Sequence, residues 1–107
     1  MLSGKYLNDE RPKGSRWTFV QRQGLFRNTE TAHEATARYV EVAQRARITP
    51  SQLALAWVNQ VPGVTSTIIG ATSMNQLIED IDSFKIKLSD ETLQDIQGVM
   101  REYPSPF

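Results

Sequence analysis

Four stretches of the chain place apolar residues at helical spacing, and each stretch begins at a serine or a threonine. Apolar positions that recur every three or four residues form one face of an amphipathic helix. A hydroxyl side chain at the start of such a pattern is a typical N-cap, because it accepts a hydrogen bond from a free N–H group of the first turn. We therefore predict α-helices over residues 29–47, 49–60, 73–84 and 89–103.

Three of these stretches carry the sequence of a capping box, in which Ser or Thr is followed three residues later by Glu or Gln. Each of the two side chains then accepts a backbone N–H, which satisfies donors that the helix itself leaves open. Pro50 stands at the first position of the second helix, where a missing N–H is tolerated. The predicted boxes pair Thr31 with Glu34, Thr49 with Gln52, and Ser73 with Gln76.

Residues 64–69, VTSTII, are the one stretch with the composition of a β-strand. Most of their side chains are β-branched, and Gly63 and Gly70 bound the segment. One strand alone cannot form a sheet. Either the segment pairs with strands outside this chain, or it is not a strand. The predicted fold class is therefore mainly α, with about four helices and one short strand.

Residues 1–28 keep neither a helical nor a strand period, and glycine and proline interrupt them. A long irregular run is more often a functional loop or a disordered end than part of a core. Its aromatic residues indicate that it packs against something. These are Tyr6, Trp17, Phe19 and Phe26.

Composition and charge exclude several classes of function. The chain has 107 residues, enough for one domain, and its 12 basic and 12 acidic residues cancel. A neutral chain lacks the electrostatic footprint of a nucleic-acid or anionic-membrane binder. The absence of cysteine excludes thiolate chemistry, and His33, the single histidine, has no ligand partners at metal spacing. With no apolar leader or membrane-length stretch in the sequence, we expect a cytoplasmic location.

The stretch STIIGATSMNQLIEDI, residues 66–81, has the pattern of an anion-binding loop. Gly70 allows close backbone approach, and Thr72 and Ser73 offer hydroxyl groups beside the free N–H groups of the next helix. A plain turn and helix cap explain the same residues. From these residues alone we favour that interpretation over an anion-binding loop, because capping boxes are common.

Three motifs occur in the order LSGKY, TPSQLALAW and IIGATSMNQLIEDI, at residues 2–6, 49–57 and 68–81. In this order they resemble the C-terminal part of the aldo-keto reductases, in the branch that contains bacterial Tas and the voltage-gated potassium channel β subunits. The resemblance implies an (α/β)8 barrel that binds NADP(H) and reduces aldehydes or ketones. Such barrels need roughly 250 residues. The chain would then be the C-terminal segment of that barrel, with Met1 at an internal position of a longer protein.

The resemblance also implies a set of cofactor-binding residues. The loop and helix start at residues 70–80 match the part of relatives that holds the 2′-phosphate and adenine end of NADP. SGKY and GSRWT match segments after the seventh barrel strand, and Arg16 in the second would supply positive charge to a phosphate. The implied residues are Lys5, Ser15, Arg16, Gly70, Thr72, Gln76, Glu79 and Asp80.

Two of these positions depart from the family pattern. Asp80 stands where relatives usually carry asparagine, so it accepts but does not donate a hydrogen bond. Ala71 and Gln76 stand where other branches carry Lys and Arg, so the loop lacks its usual cations. For Lys5 and Arg16 the alternative is an ordinary solvated side chain.

The resemblance assigns no catalytic residue to this chain. The family's catalytic Asp, Tyr, Lys and His belong to the N-terminal half of the barrel, and no residue here matches them. Hydride transfer to a carbonyl also requires a placed proton donor. We therefore expect the isolated chain to be inactive. The alternative function is a helical module that self-associates or binds a protein through exposed strand edges and apolar faces.

Overall fold

The structure is a computed structural model that describes residues 2–15, 18 and 29–105. Its regular elements are one 3₁₀ turn, Leu7–Asp9, and four helices: α1 (Glu30–Arg45), α2 (Pro50–Gln60), α3 (Met74–Ser83) and α4 (Asp90–Glu102). The predicted mainly helical chain with four helices is confirmed for this part of the molecule. Each helix lies inside the range of residues predicted for it.

Helix α1 lies at the centre of the packing. It contacts α2, α4 and the 3₁₀ turn, whereas α3 packs on α2 at the edge. A cluster of small and branched side chains forms the core, and burying each large one contributes about 1.5–3 kcal/mol. The cluster consists of Val42, Ala43, Leu53, Ala56, Leu88, Ile96 and Val99.

The first helix begins at a different cap from the one predicted. Thr29 has extended backbone angles and accepts a hydrogen bond from Ala32 N at 3.1 Å. Thr31 lies inside the first turn, so the predicted box with Glu34 is wrong. Thr29 and Thr31 are both suitable N-cap residues. The sequence pattern alone does not show which of the two takes the extended backbone conformation of a cap. The second box is confirmed, because Thr49 and Gln52 exchange both of their capping bonds.

A Schellman motif ends α1 and leads directly into α2. Arg47 N donates to Gln44 O at 3.0 Å, and Ile48 N donates to Ala43 O at 3.1 Å. Arg47 takes the left-handed conformation that this motif requires, with φ of 57°. Glycine usually occupies this position, because the Cβ of an L-residue comes too close to the backbone in this conformation. The junction therefore places Thr49 at a defined point.

The predicted strand at residues 64–69 is wrong for this chain in the part that the structure describes. Residues 64–70 belong to no regular element. A strand is defined by backbone hydrogen bonds to a neighbouring strand, and residues 2–15 and 29–105 contain no other strand to supply them. Val64 is exposed, and Ile68 is 98% exposed. Strand composition alone therefore does not produce a strand.

Candidate functional site

The start of α3 carries a compact set of polar contacts. Ser73 Oγ accepts from Gln76 N at 3.3 Å, as the predicted capping box requires. The Gln76 amide oxygen accepts from Thr72 N at 2.9 Å and from the Thr72 hydroxyl at 3.0 Å. The second half of the box thus closes on Thr72, one residue before the cap. This prediction was half right.

These contacts leave the first turn of α3 open to a ligand. Met74 N and Asn75 N have no acceptor among the residues described, as expected for the first turn of a helix. Thr72 and Ser73 are exposed beside them. The helix dipole adds partial positive charge at this end. The arrangement can accept an anionic oxygen such as that of a phosphate.

Gly70 lies exposed just before this turn. No heavy atom stands within 4 Å of the position that a Cβ would take, and its backbone is outside the left-handed region. The fold of the chain itself therefore does not require glycine at this position. The free space in front of the backbone is compatible with close approach of a ligand.

Glu79 and Asp80 follow two turns later and differ in their surroundings. The Thr49 hydroxyl donates to the Glu79 carboxylate oxygen Oε1, which joins α3 to the cap of α2. The Asp80 carboxylate has no partner in the described part of the chain, and its backbone carbonyl accepts from the Ser83 hydroxyl. Both acidic residues are half-buried. One carboxylate is therefore held in place, and the other has freedom to turn.

Charge around α3 is negative. The helix carries Glu79, Asp80 and Asp82, whereas residues 48–84 contain no lysine or arginine. Asp82 is paired with Lys85 at 2.6 Å. Repulsion from Glu79 and Asp80 opposes a bound phosphate, whereas the dipole and the N–H groups of the first turn favour it. Positive charge for a phosphate must therefore come from another part of the protein.

Lys5 and Ser15, the predicted residues of the N-terminal segment that the structure describes, lie apart from α3 in the sequence and belong to no helix. The exposed Lys5 Nζ stands 5.3 Å from the centre of the Tyr6 ring, which is cation–π distance. Ser15 is buried, and its hydroxyl has no partner among the residues described. Arg16 lies outside the described residues. No hydrogen bond or ion pair within 2–15 and 29–105 joins Lys5 or Ser15 to the α3 loop.

An apolar stripe lies exposed on α3. Met74, Ile78 and Ile81 recur at helical spacing and are exposed, together with Phe84 at the end of the helix. Helical periodicity shows that such residues share a face, but it does not show whether anything covers that face. Ile68, in the segment before the loop, adds to the exposed apolar surface.

A second apolar surface is a groove of about 270 Å³ between α1, α2 and α4. Tyr39 and Tyr103 border it, and burial raises the pKa of both phenols above their ordinary value. The remaining lining is mostly alanine, proline and leucine, so the groove has few polar groups that could bind a ligand through hydrogen bonds.

No group of three metal-ligating side chains occurs among the residues described, and none of their helices is long and apolar enough to cross a membrane.

Comparisons with known proteins identify the family. The Aldo/keto reductase family model matches residues 1–101. Protein tas of Escherichia coli K12 is 41% identical over 105 residues, which are 98% of this chain and 30% of that protein. A putative voltage-gated potassium channel subunit beta of Schizosaccharomyces pombe is 36% identical over 110 residues, covering 97% of this chain and 32% of that protein. The chain thus spans about a third of the length of these relatives, and it belongs to the aldo/keto reductase family.

Proposed function

We propose that this chain is the C-terminal cofactor-binding segment of an NADP(H)-dependent aldo-keto reductase that reduces aldehydes or ketones. The open first turn of α3 carries the proposal, because it places unused N–H donors and two hydroxyl groups at one exposed point. That donor set suits a phosphate. Family membership indicates which phosphate compound to test first.

The residues of the chain have separate roles in this proposal. Thr72 and the first turn of α3 bind a phosphate of the cofactor, and Gly70 lets the ligand approach. Gln76, Glu79 and Asp80 face its adenosine end. Lys5, Ser15 and Arg16 reach the phosphates from the loop at residues 1–28, which supplies the charge that α3 lacks. A bound nicotinamide contributes a hydride for the carbonyl carbon.

The barrel is also part of the proposal. In a complete (α/β)8 barrel, residues 64–69 gain strand neighbours and the apolar stripe on α3 gains a covering surface. The exposed Ile68 and Ile78 support this interpretation, because both would be buried only in a larger assembly. The proton donor for carbonyl reduction belongs to the missing part, so the chain alone does not catalyse the reaction. The cytoplasmic location stays a prediction.

Titration of NADP⁺ into the isotope-labelled chain, followed by amide NMR shifts, tests the cofactor site. We expect saturable shifts in residues 70–80, weaker shifts with NAD⁺, and a Kd of about 1 mM, since a loop without its neighbours binds poorly. Gly70→Val is the matched variant, because its side chain occupies the ligand space and its Cβ has no heavy atom of the described chain within 4 Å. It should abolish the shifts and leave the thermal midpoint unchanged. Linear, non-saturating shifts, or equal shifts with NAD⁺, would contradict the proposal.

Self-association is a second candidate function, and the exposed stripe on α3 favours it. Ile78 and Ile81 present apolar surface to solvent on a helix that ends in the exposed Phe84. A second copy of the chain would cover such an apolar face.

Sedimentation velocity over a series of concentrations tests this second candidate. We expect the wild type to shift to larger species with concentration, and the double variant Ile78→Ser with Ile81→Ser to stay monomeric. Met100→Ser is the matched control, because Met100 is an exposed apolar residue on α4 instead of α3. A monomeric wild type at every concentration would exclude self-association.

A further inference from the structure

One hydrogen bond ties the proposed cofactor site to the start of α2. The Thr49 hydroxyl donates to Oε1 of Glu79, although the two residues are 30 positions apart in the sequence. A hydroxyl that donates to a carboxylate makes a charge-assisted bond, which is stronger than a bond between neutral groups. The contact therefore has enough strength to orient the acidic side chain.

Thr49 is well placed to hold another residue, because its own position is fixed. Its hydroxyl oxygen accepts from Gln52 N at 3.1 Å, and its N–H donates to Gln52 Oε1 at 3.1 Å. Its carbonyl accepts from Leu53 N at 2.9 Å. A hydroxyl has one donor and two acceptor sites, so capping α2 leaves its proton available for Glu79.

Because of this bond, the two carboxylate oxygens of Glu79 have different roles. Oε1 is engaged by Thr49, whereas Oε2 has no partner among the residues described and remains an acceptor. The neighbouring Asp80 carboxylate has no such anchor. Glu79 therefore presents one oriented acceptor on α3, one helical turn after Asn75.

We propose that Thr49 is a positioning residue of the cofactor site. It holds Glu79 so that the second carboxylate oxygen accepts a hydrogen bond from an N–H or O–H group on the adenosine part of the ligand. This inference rests on the proposed function. It assigns a binding role to the junction between α1 and α2, which lies outside the loop that the sequence motif marks.

Two substitutions separate positioning from helix capping. Thr49→Ser keeps both the cap and the donor, so the Kd for NADP⁺ should equal that of the wild type. Thr49→Ala removes both, and we expect the Kd to rise about tenfold, as for loss of a hydrogen bond to a charged group. Both Kd values come from the NMR titration, with the free energy of unfolding measured in parallel.

Ser89→Ala is the matched control, because Ser89 caps α4 and makes no hydrogen bond to α3 in the part of the chain that the structure describes. It should lower the free energy of unfolding as Thr49→Ala does, while leaving the Kd unchanged. If Thr49→Ala also leaves the Kd unchanged, Thr49 is a cap alone and the inference is overturned.

A double variant completes the test. With Glu79→Ala in place, adding Thr49→Ala should not raise the Kd further, because the residue to be positioned is gone. A further rise of similar size would show that Thr49 acts on the ligand without Glu79, which contradicts the inference. If the wild type itself does not bind NADP⁺, the proposed function fails in this chain, and the role of Thr49 fails with it. Binding by the wild type with an unaffected Thr49→Ala variant refutes only the role of Thr49.

Discussion

Large apolar side chains are buried in the helical bundle of α1, α2 and α4, whereas many are exposed in the region at residues 61–84. In the bundle, Leu53 is 3% exposed and Ile96 is 4% exposed. In the second region, Ile68 is 98% exposed, and the single buried residue of α3 is Ser83. The two regions belong to one chain with similar apolar composition, so burial depends on neighbours and not on residue type.

The difference shows which part of the chain is self-sufficient. The bundle supplies its own partners and can bury its faces within 107 residues. Residues 61–84 instead combine unpaired backbone, an apolar helix face and an open anion site at one edge. Surface of this kind is typical of an interface. It is also the region that contains most of the predicted cofactor contacts. We therefore expect that cofactor binding at this edge and coverage of its apolar surface by other protein depend on each other.

The largest expected effect compares one truncation in each region. Leu53→Ala removes buried side-chain volume and should lower the free energy of unfolding by about 2–5 kcal/mol. Ile68→Ala changes an exposed side chain and should alter it by less than about 0.5 kcal/mol. Urea denaturation followed by circular dichroism measures both. Similar losses from the two variants would mean that Ile68 is covered in solution and that the contrast between the regions is wrong.

Loss of a helix cap should have different consequences in the two regions. Ser89→Ala, in the bundle, should lower the global free energy of unfolding by about 1 kcal/mol. Ser73→Ala should instead increase local opening of α3 with little effect on global unfolding, because α3 lies at the edge and packs on α2. Amide hydrogen exchange resolves local from global opening. Equal protection changes throughout the molecule for both variants would argue against independent opening of α3.

Backbone conformation offers a smaller comparison. Arg47 ends α1 with φ of 57°, so Arg47→Gly should raise the free energy of unfolding by about 0.5–1 kcal/mol. Gly70 has no left-handed conformation and no close neighbour, so Gly70→Ala should be accepted without loss. Thermal unfolding compares the two variants with the wild type. Destabilisation by Gly70→Ala would reveal a backbone requirement at the loop that the structure does not show.

The smallest expected effect is a pH dependence confined to the bundle. Burial raises the pKa of Tyr39, so the folded state holds its proton to higher pH than the unfolded state does. The associated stability is complete below about pH 10 and declines as pH rises through the higher folded pKa. Tyr39→Phe should therefore reduce the loss of the thermal midpoint above pH 10. An unchanged alkaline slope would assign that loss to other groups, such as Tyr103.

Local sequence patterns predicted only part of the candidate site. The motif around Gly70 and Thr72 pointed to the open helix start that the structure contains. It did not reveal that Gln76 closes on Thr72, since that choice depends on loop geometry. The contact between Thr49 and Glu79 was missed as well, because it joins residues 30 positions apart through the packing of α2 on α3. Whether Lys5, Ser15 and Arg16 reach the same ligand stays a prediction.

The sequence by itself determined the features that depend on neighbours within one or two turns: the four helices, the capping box at Thr49 and the family motifs. Periodicity and caps act over a few residues, so a linear pattern records them directly. Only the tertiary structure decided that residues 64–69 form no strand and that Ile78 is exposed. Each of these depends on which backbone or side chain lies alongside, and a chain that spans about a third of its relatives provides such neighbours for the bundle but not for the edge.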